Sequence, residues 1–328
     1  MRRCSRCRRR PKRRWPRAER SGEYAGLRRT PSAEARRPGM KRREFWLLIA
    51  PSLLIMFGFL AVPVYRTIVW SFQQVTYGSP GTFVGFDNYT SALTDPRFLE
   101  AVWFTVLLTA AAVVVILLFG YVLANMINRL KRARPVVLGI MLIAYVIPHV
   151  VGATAFSWLF DTNFGGVANL IVSQLTGQEV LWFTDVWPNR LVILLNVVWS
   201  MLPFAMLMIL AGLQGVPEES LEAAQIDGAG PLSLHWHVIL PTIRGVMVFV
   251  SLVLVMDILR VMDNLIPLSP QATSIGNESI MLYVFHIAFT EGNPQLGLGS
   301  AINVLTIILI LLALWPFIRG ILKEARNG

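Results

Sequence analysis

Glu222-Ala223-Ala224-Gln225-Ile226-Asp227-Gly228-Ala229-Gly230, running on to Val238-Ile239-Leu240-Pro241, is a polar, acidic stretch between two long apolar runs. Local rules give it a shape. Pro217 suits the first turn of a helix, and Glu218 and Glu219 lie where the helix dipole favours negative charge. Leu221, Ala224 and Gln225 continue a short helix with a small-residue face. Asp227-Gly228 is a turn signal. Pro231 starts a second short helix through Leu232, Leu234, Trp236 and Val238, and Leu240-Pro241 leads into the next apolar run. Ala223, Ala224, Gly228 and Ala229 let another backbone approach closely, so Gly228→Asp is expected to crowd any docking turn there. The same residues also fit an ordinary amphipathic linker.

The surrounding sequence is that of a membrane protein. The chain has 328 residues, of which 55% are hydrophobic and 15% charged. Soluble domains carry about 25% charged residues. A spanning helix needs about 20 apolar residues, and six runs qualify: 46–70, 103–127, 136–160, 190–213, 242–264 and 300–321. Pro51, Pro63, Pro148, Pro203 and Pro316 fall within them, as a helix bundle tolerates. The first run is too long, and lacks the small-residue cleavage site, to be a signal peptide. The expected fold class is an all-α integral membrane protein with six transmembrane helices. Residues 1–44 form a basic tail, 45–323 the transmembrane domain with its loop at 214–241, and 324–328 a short cytoplasmic tail.

Charge fixes the expected orientation. Residues 1–45 hold 18 Lys and Arg against four Glu, so the net +11 of the chain becomes −3 without them. Basicity therefore belongs to the tail and not to a folded nucleic-acid-binding surface, and no such module accompanies it. Met40 looks like a natural start just before the first run, so 1–39 is expected to be either outside the native product or a dispensable extension. Cys4 and Cys7 lie in this tail without further ligands, so no metal site is expected. Lys41, Arg42 and Arg43 precede the first run, and Arg129, Lys131, Arg132 and Arg134 separate the second and third. Lys323 and Arg326 follow the sixth. The positive-inside rule puts these segments and both termini in the cytoplasm. Asp87, Asp95, Arg97, Glu100, Asp161, Glu179, Asp185, Glu278 and Glu291 then face outward. Loop 214–241 breaks the pattern: it is on the inner side, yet it carries Glu218, Glu219, Glu222 and Asp227 and no Lys or Arg. A basic partner surface accounts for that.

The spacing of Glu222-Ala223-Ala224, three residues, Gly228, nine residues, Val238, one residue and Leu240-Pro241 resembles the EAA loop of bacterial ABC-importer permeases, with Val238 where Ile is usual. Phe83-Val84-Gly85-Phe86-Asp87-Asn88-Tyr89 with Asp95-Pro96-Arg97-Phe98 is similar to the first outer loop of the maltose and glycerol-phosphate branch. So are Arg260-Val261-Met262-Asp263-Asn264-Leu265, Tyr283, Phe289 and Gly297-Leu298-Gly299-Ser300-Ala301 to its later segments. Leu268-Ser269-Pro270-Gln271 departs from the Thr-Gly-Gly-Pro-like turn common there. The resemblance covers about residues 45–320. It implies a type I permease fold in the bacterial inner membrane and import of a sugar; a non-sugar solute is the alternative. It also implies a second homologous permease, two ATP-binding cassette ATPase subunits and an extracytoplasmic solute-binding protein as partners. ATP and Mg would be bound by the ATPase subunits and no cofactor by this chain. Glu218, Glu222, Ala223, Ala224, Asp227, Gly228, Ala229, Leu240 and Pro241 would form the ATPase-coupling loop.

Asp257, Arg260 and Asp263 are placed in the outer part of the fifth run, where ionisable groups face a cavity or each other. They either line a solute pathway or steady the bundle as a self-satisfied pair. Asn196, Trp199 and Asn303 offer the same choice between hydrogen-bonding a sugar and gluing helices. Trp182 and Trp187 read as interfacial aromatics. No phosphate-binding loop or catalytic Ser/His/Asp set is legible, and an enzyme is not expected. An ion-coupled transporter would call for inverted repeats of broken helices, and no repeat is apparent.

Overall fold

The structure is a computed structural model describing residues 42–78, 80–130, 132–161 and 165–327, apart from the side chains of 42, 44, 176 and 321–327. The tail 1–39 with Cys4 and Cys7, together with Lys41, Lys131 and Gly328, lies outside the described residues.

Helix α1 runs Arg42–Ser71. The chain divides into two units, one ending at Phe57 and the other starting at Gly58. In the first, the rings of Phe45 and Trp46 meet edge to face at 5.9 Å. In the second, α1 gives way to a hairpin of β1 (Gln73–Gln74) and β2 (Thr82–Phe83), paired antiparallel. Helix α2 (Asp87–Thr94) follows. Asn88 Nδ2 donates to the Ser71 and Gln73 carbonyls and Tyr89 to Ser71 Oγ, which fastens this segment to the end of α1.

Helix α3 (Pro96–Arg129) opens with Pro96 in its first turn and the Asp95 carboxylate accepting from Arg97 N at 2.9 Å. Phe98, Ala101, Thr105, Leu108, Ala112, Ile116, Gly120, Ala124 and Ile127 recur every three or four residues and are all buried. That stripe lies on α7 (Val186–Gln214), whose own buried face runs from Asn189 to Leu213. One apolar core, with Leu108, Ile116, Ile193, Leu254 and Ile258, fills the middle of the bundle. A second, with Ile127, Ile209, Leu213, Val216, Ile239 and Ile243, fills the inner end, the one the charge rule assigns to the cytoplasm.

Two expected spans are broken. The run 136–160 is split into α4 (Arg134–Val146) and α5 (His149–Phe160), bent by 98°. Pro148 has no N–H to give the helix, and it forces Ile147 out of helical geometry (φ −65°, ψ 130°). Helix α6 (Val167–Thr176) follows α5, and α8 (Glu218–Ile226) follows α7. Next come α9 (Pro231–Leu234), a π-helical turn over His235–Ile239 and α10 (Leu240–Thr242). This 231–242 stretch meets α11 (Arg244–Ile258) at 70°. The helix thus ends at Ile258, short of the expected 264. Ser279 Oγ donates to the Val261 carbonyl at 2.6 Å and Asn264 Nδ2 donates to Asn196 Oδ1 at 2.7 Å, which draws the chain off the helix axis. Short helices α12 (Leu265–Leu268), α13 (Ala272–Ile275) and α14 (Ile280–Phe285) and a second π-helical turn (His286–Thr290) lead to α15 (Leu296–Asn327). Among the described residues, four helices are individually long and apolar enough to cross a membrane, and the number rises to six when each bent pair is taken as one span.

Trp182, expected as an interfacial aromatic, is covered by protein. It is buried, its Nε1 donates to Asn169 Oδ1 at 3.1 Å, and its ring meets Phe160 at 5.0 Å. Trp187 is exposed, with the Arg190 guanidinium 4.9 Å above its ring.

Candidate functional sites: the inner loop and a polar cavity

The acidic loop folds as two helices around a glycine turn. Pro217 sits just before α8 as its cap, one position earlier than expected. Glu218 and Glu219 occupy the first turn. Asp227 N, Gly228 N and Ala229 N donate to the carbonyls of Ala223, Gln225 and Ala224, closing the helix. The closure needs φ +83° at Gly228, a backbone that L side chains rarely adopt. Glu218, Glu222, Ala223, Asp227, Gly228 and Pro241 are exposed, while Ala224, Ala229 and Leu240 are partly covered.

The loop is anchored from beneath. Leu221, Leu234 and Ile239 pack into the inner core with Ile127, Leu213 and Val216. Tyr121 of α3 lies within hydrogen-bonding distance of His235, Oη to Nδ1 2.6 Å. Ile226, Leu232 and Trp236, by contrast, point outward at 86%, 71% and 63% exposure. An apolar patch rimmed by carboxylates is the composition of a protein interface. Partly buried Leu234 lies on the face opposite exposed Leu232 and Trp236, as offsets of two and four residues on a helix dictate.

A cavity of 420 Å³ brings Asp257, Arg260 and Asp263 together with His149, Met201 and Met281. Only Asp257 of the three is on α11; Arg260 and Asp263 stand in the turn beyond its end, not on a span as expected. Arg260 still reaches back, its Nη2 donating to Asp257 Oδ1 at 3.2 Å and its Nε to the Met256 carbonyl. Arg260 and Met281 also line a neighbouring 290 Å³ cavity that includes Asn303. Asn196 is 1% exposed, and behind the cavity wall its Oδ1 accepts from Asn264, while its own Nδ2 has no partner among the described residues. Trp199 is apart from both cavities. It lies over Gly152 of α5, where a Cβ would come within 3.0 Å of the ring, and beside Phe156. His149 was not singled out from sequence; a Pro-His pair inside an apolar run was the available signal.

At the outer end, charges that read as separate loop residues form one clasp. Arg97 Nε and Nη2 donate to the two carboxylate oxygens of Glu278 at 2.8 and 2.9 Å, and Nη1 to Glu291 at 2.6 Å. His286 also bonds Glu278, which is 3% exposed. Tyr283 donates to Asp95 and lies 5.0 Å beneath the Arg97 guanidinium. Burial, and then the Asp95 carboxylate, push the Tyr283 phenol up, so it stays protonated as the donor. Next to the clasp, Asn189 bonds the Trp182 and Leu268 carbonyls, Ser269 and Asn277.

Apolar helices of spanning length, broken spans around a polar cavity and an exposed loop at one end define a multi-pass membrane protein. Residues 116–317 match the family of binding-protein-dependent transport system inner membrane components, and the chain belongs to that family. The chain is 32% identical to the sulfoquinovosyl glycerol transport system permease protein SmoG of Agrobacterium fabrum, covering 79% of this chain and 83% of that one. It is 31% identical to the trehalose transport system permease protein SugA of Mycobacterium tuberculosis, covering 92% and 96%. With the trehalose/maltose transport system permease protein MalF of Thermococcus litoralis it shares 30% over 81% and 89%. In fold it is similar to a chain of a bacterial alginate ABC transporter, with a TM-score of 0.71 at 20% identity over 84% and 93%.

Proposed function

We propose that this chain is one of two permease subunits of an ATP-driven sugar importer. Residues 45–323 form half of the translocation pathway, and the loop at 214–241 docks on an ATPase subunit. The observation that carries this reading is the loop itself. It presents acidic and apolar groups outward while Leu221, Leu234 and Ile239 hold it to α3 and α7. Movement of a docked ATPase would thus reach the spanning helices. Two such ATPase subunits would bind ATP and Mg, and this chain would hydrolyse nothing. An extracytoplasmic binding protein would deliver the solute at the outer end.

The cavity around Asp257, Arg260 and Asp263 is the proposed pathway surface, with Asn303 beside it. Its carboxylates, guanidinium and imidazole can exchange hydrogen bonds with hydroxyl groups, and Met201 and Met281 supply apolar contact for a sugar ring. Asn196 is proposed to support the wall through Asn264, and Trp199 to steady the α4–α5 bend. The sugar assignment draws on relatives whose names specify trehalose, maltose or sulfoquinovosyl glycerol. A non-sugar solute is the second reading, favoured by the departure at Leu268-Ser269-Pro270-Gln271.

Gentle purification from the native membrane tests the assembly. The expected result is co-purification of an ATPase and a second permease, with uptake of a sugar that the accompanying binding protein retains. A chain that stays alone after cross-linking refutes the reading.

A further inference from the structure

We propose that Tyr121 and His235 are positioning residues for coupling: their hydrogen bond transmits movement of the inner loop into α3. The proposal rests on the reading of 214–241 as the ATPase-docking loop. Leu221, Leu234 and Ile239 hold the loop to the bundle by apolar contact, which is non-directional and tolerates sliding. A hydrogen bond weakens steeply when its angle or distance changes. The 2.6 Å contact between Tyr121 and His235, with the two rings edge to face at 5.8 Å, therefore fixes register where the leucines fix only proximity.

The position of each partner supports this role. His235 opens the π-helical turn, a geometry that is rare and concentrates at functional sites. Tyr121 sits near the inner end of α3, a single unbroken helix. The other end of that helix carries Arg97, locked to Glu278 and Glu291. From 97 to 121 a helix rises about 36 Å at ~1.5 Å per residue. A push on His235 is therefore delivered by one rigid element to the outer clasp.

The test uses the whole transporter, purified with its own ATPase subunits and binding protein and reconstituted in liposomes. The quantity read is solute carried per ATP hydrolysed. Tyr121→Phe keeps the ring and removes the hydroxyl, and should lower this ratio about fivefold, the loss of one hydrogen bond, with the ATPase still bound. His235→Leu should match it, and the double variant should be no worse than either. His235→Asn should restore coupling, because an amide at the Nδ1 position can accept or donate and so serves either imidazole tautomer. The proposal is overturned by a Tyr121→Phe transporter with the wild-type ratio, by failure of His235→Asn to rescue, or by release of the ATPase from Tyr121→Phe, which would mark a role in docking alone. A wild-type chain that never holds an ATPase refutes the docking reading itself.

Discussion

Gly228 and Gly297 are glycines for different reasons. At Gly228 the backbone demands it: φ is +83°, while no atom lies within 4 Å of where a Cβ would sit. Among the described residues nothing beyond the chain neighbours crowds a Cβ there, so crowding by Gly228→Asp would come from a docked partner. Gly228→Asp is expected to leave the chain folded, at a strain of about 1 kcal/mol, and to abolish retention of the ATPase. Intact retention and uptake in pull-down and transport assays would sink the docking role. At Gly297 the neighbour demands it: a Cβ would lie 2.1 Å from the Gln73 carbonyl oxygen. Gly297→Ala should push the hairpin off α15 and destabilise the protein by about 1–3 kcal/mol, seen as a lower melting temperature in detergent. The turn at Asp227-Gly228 was legible because its geometry is written in two adjacent residues. The need at 297 was not, because the atom it must avoid belongs to residue 73.

The spans show the same division between elements. Hydropathy finds all six apolar runs because it counts residues, and it is blind to direction. The 98° bend at Ile147-Pro148 and the early end of α11 depend on which side chains take over the freed backbone groups. The bend turns His149 into the cavity. Pro148→Ala restores a donor and should favour a straighter α4–α5; the expected outcome is a stable complex with solute uptake reduced tenfold or more. Unchanged uptake would show that His149 and the bend are dispensable. The outer clasp was equally hidden, since Arg97 and Glu278 are 181 residues apart. The two carboxylates paired with Arg97 should differ. Glu278 is 3% exposed and Glu291 41%. Glu278→Gln should cost about 3 kcal/mol by leaving Arg97 half-paired in a buried joint, and Glu291→Gln under about 1 kcal/mol. Equal thermal shifts for the two variants would contradict this.

For the whole molecule, charge at the inner end is sorted by segment: carboxylates and an exposed tryptophan on the loop at 214–241, and Arg129, Arg132 and Arg134 between α3 and the start of α4. If the loop meets a basic partner, raising salt from about 0.1 M to 1 M shortens the screening length from ~10 Å to ~3 Å and should loosen the ATPase. Replacing Glu218, Glu219 and Glu222 together with Gln should weaken retention at low salt and flatten its salt dependence. Surface-plasmon or pull-down titration reads both, and a salt response identical to wild type would assign the contact to Ile226, Leu232 and Trp236 alone. A chain starting at Met40 is expected to support the same uptake as the full one, measured in cells lacking the native copy.

The early end of α11 has an electrical side. Stopping at Ile258 instead of 264 removes about 9 Å of helix at ~1.5 Å per residue. Arg260 and Asp263 are exposed in the space this opens. If ions and water fill it from outside, the insulating layer is thinner here than the lipid around it, and the membrane voltage falls over the remaining inner part of the bundle. A neutral solute crosses that steep field without electrical work, whereas each unit of charge gains or loses about 2.3 kcal/mol per 100 mV. Uptake that ignores voltage clamping in liposomes would thus mark the cargo as uncharged, and a voltage-dependent rate would mark it as an ion.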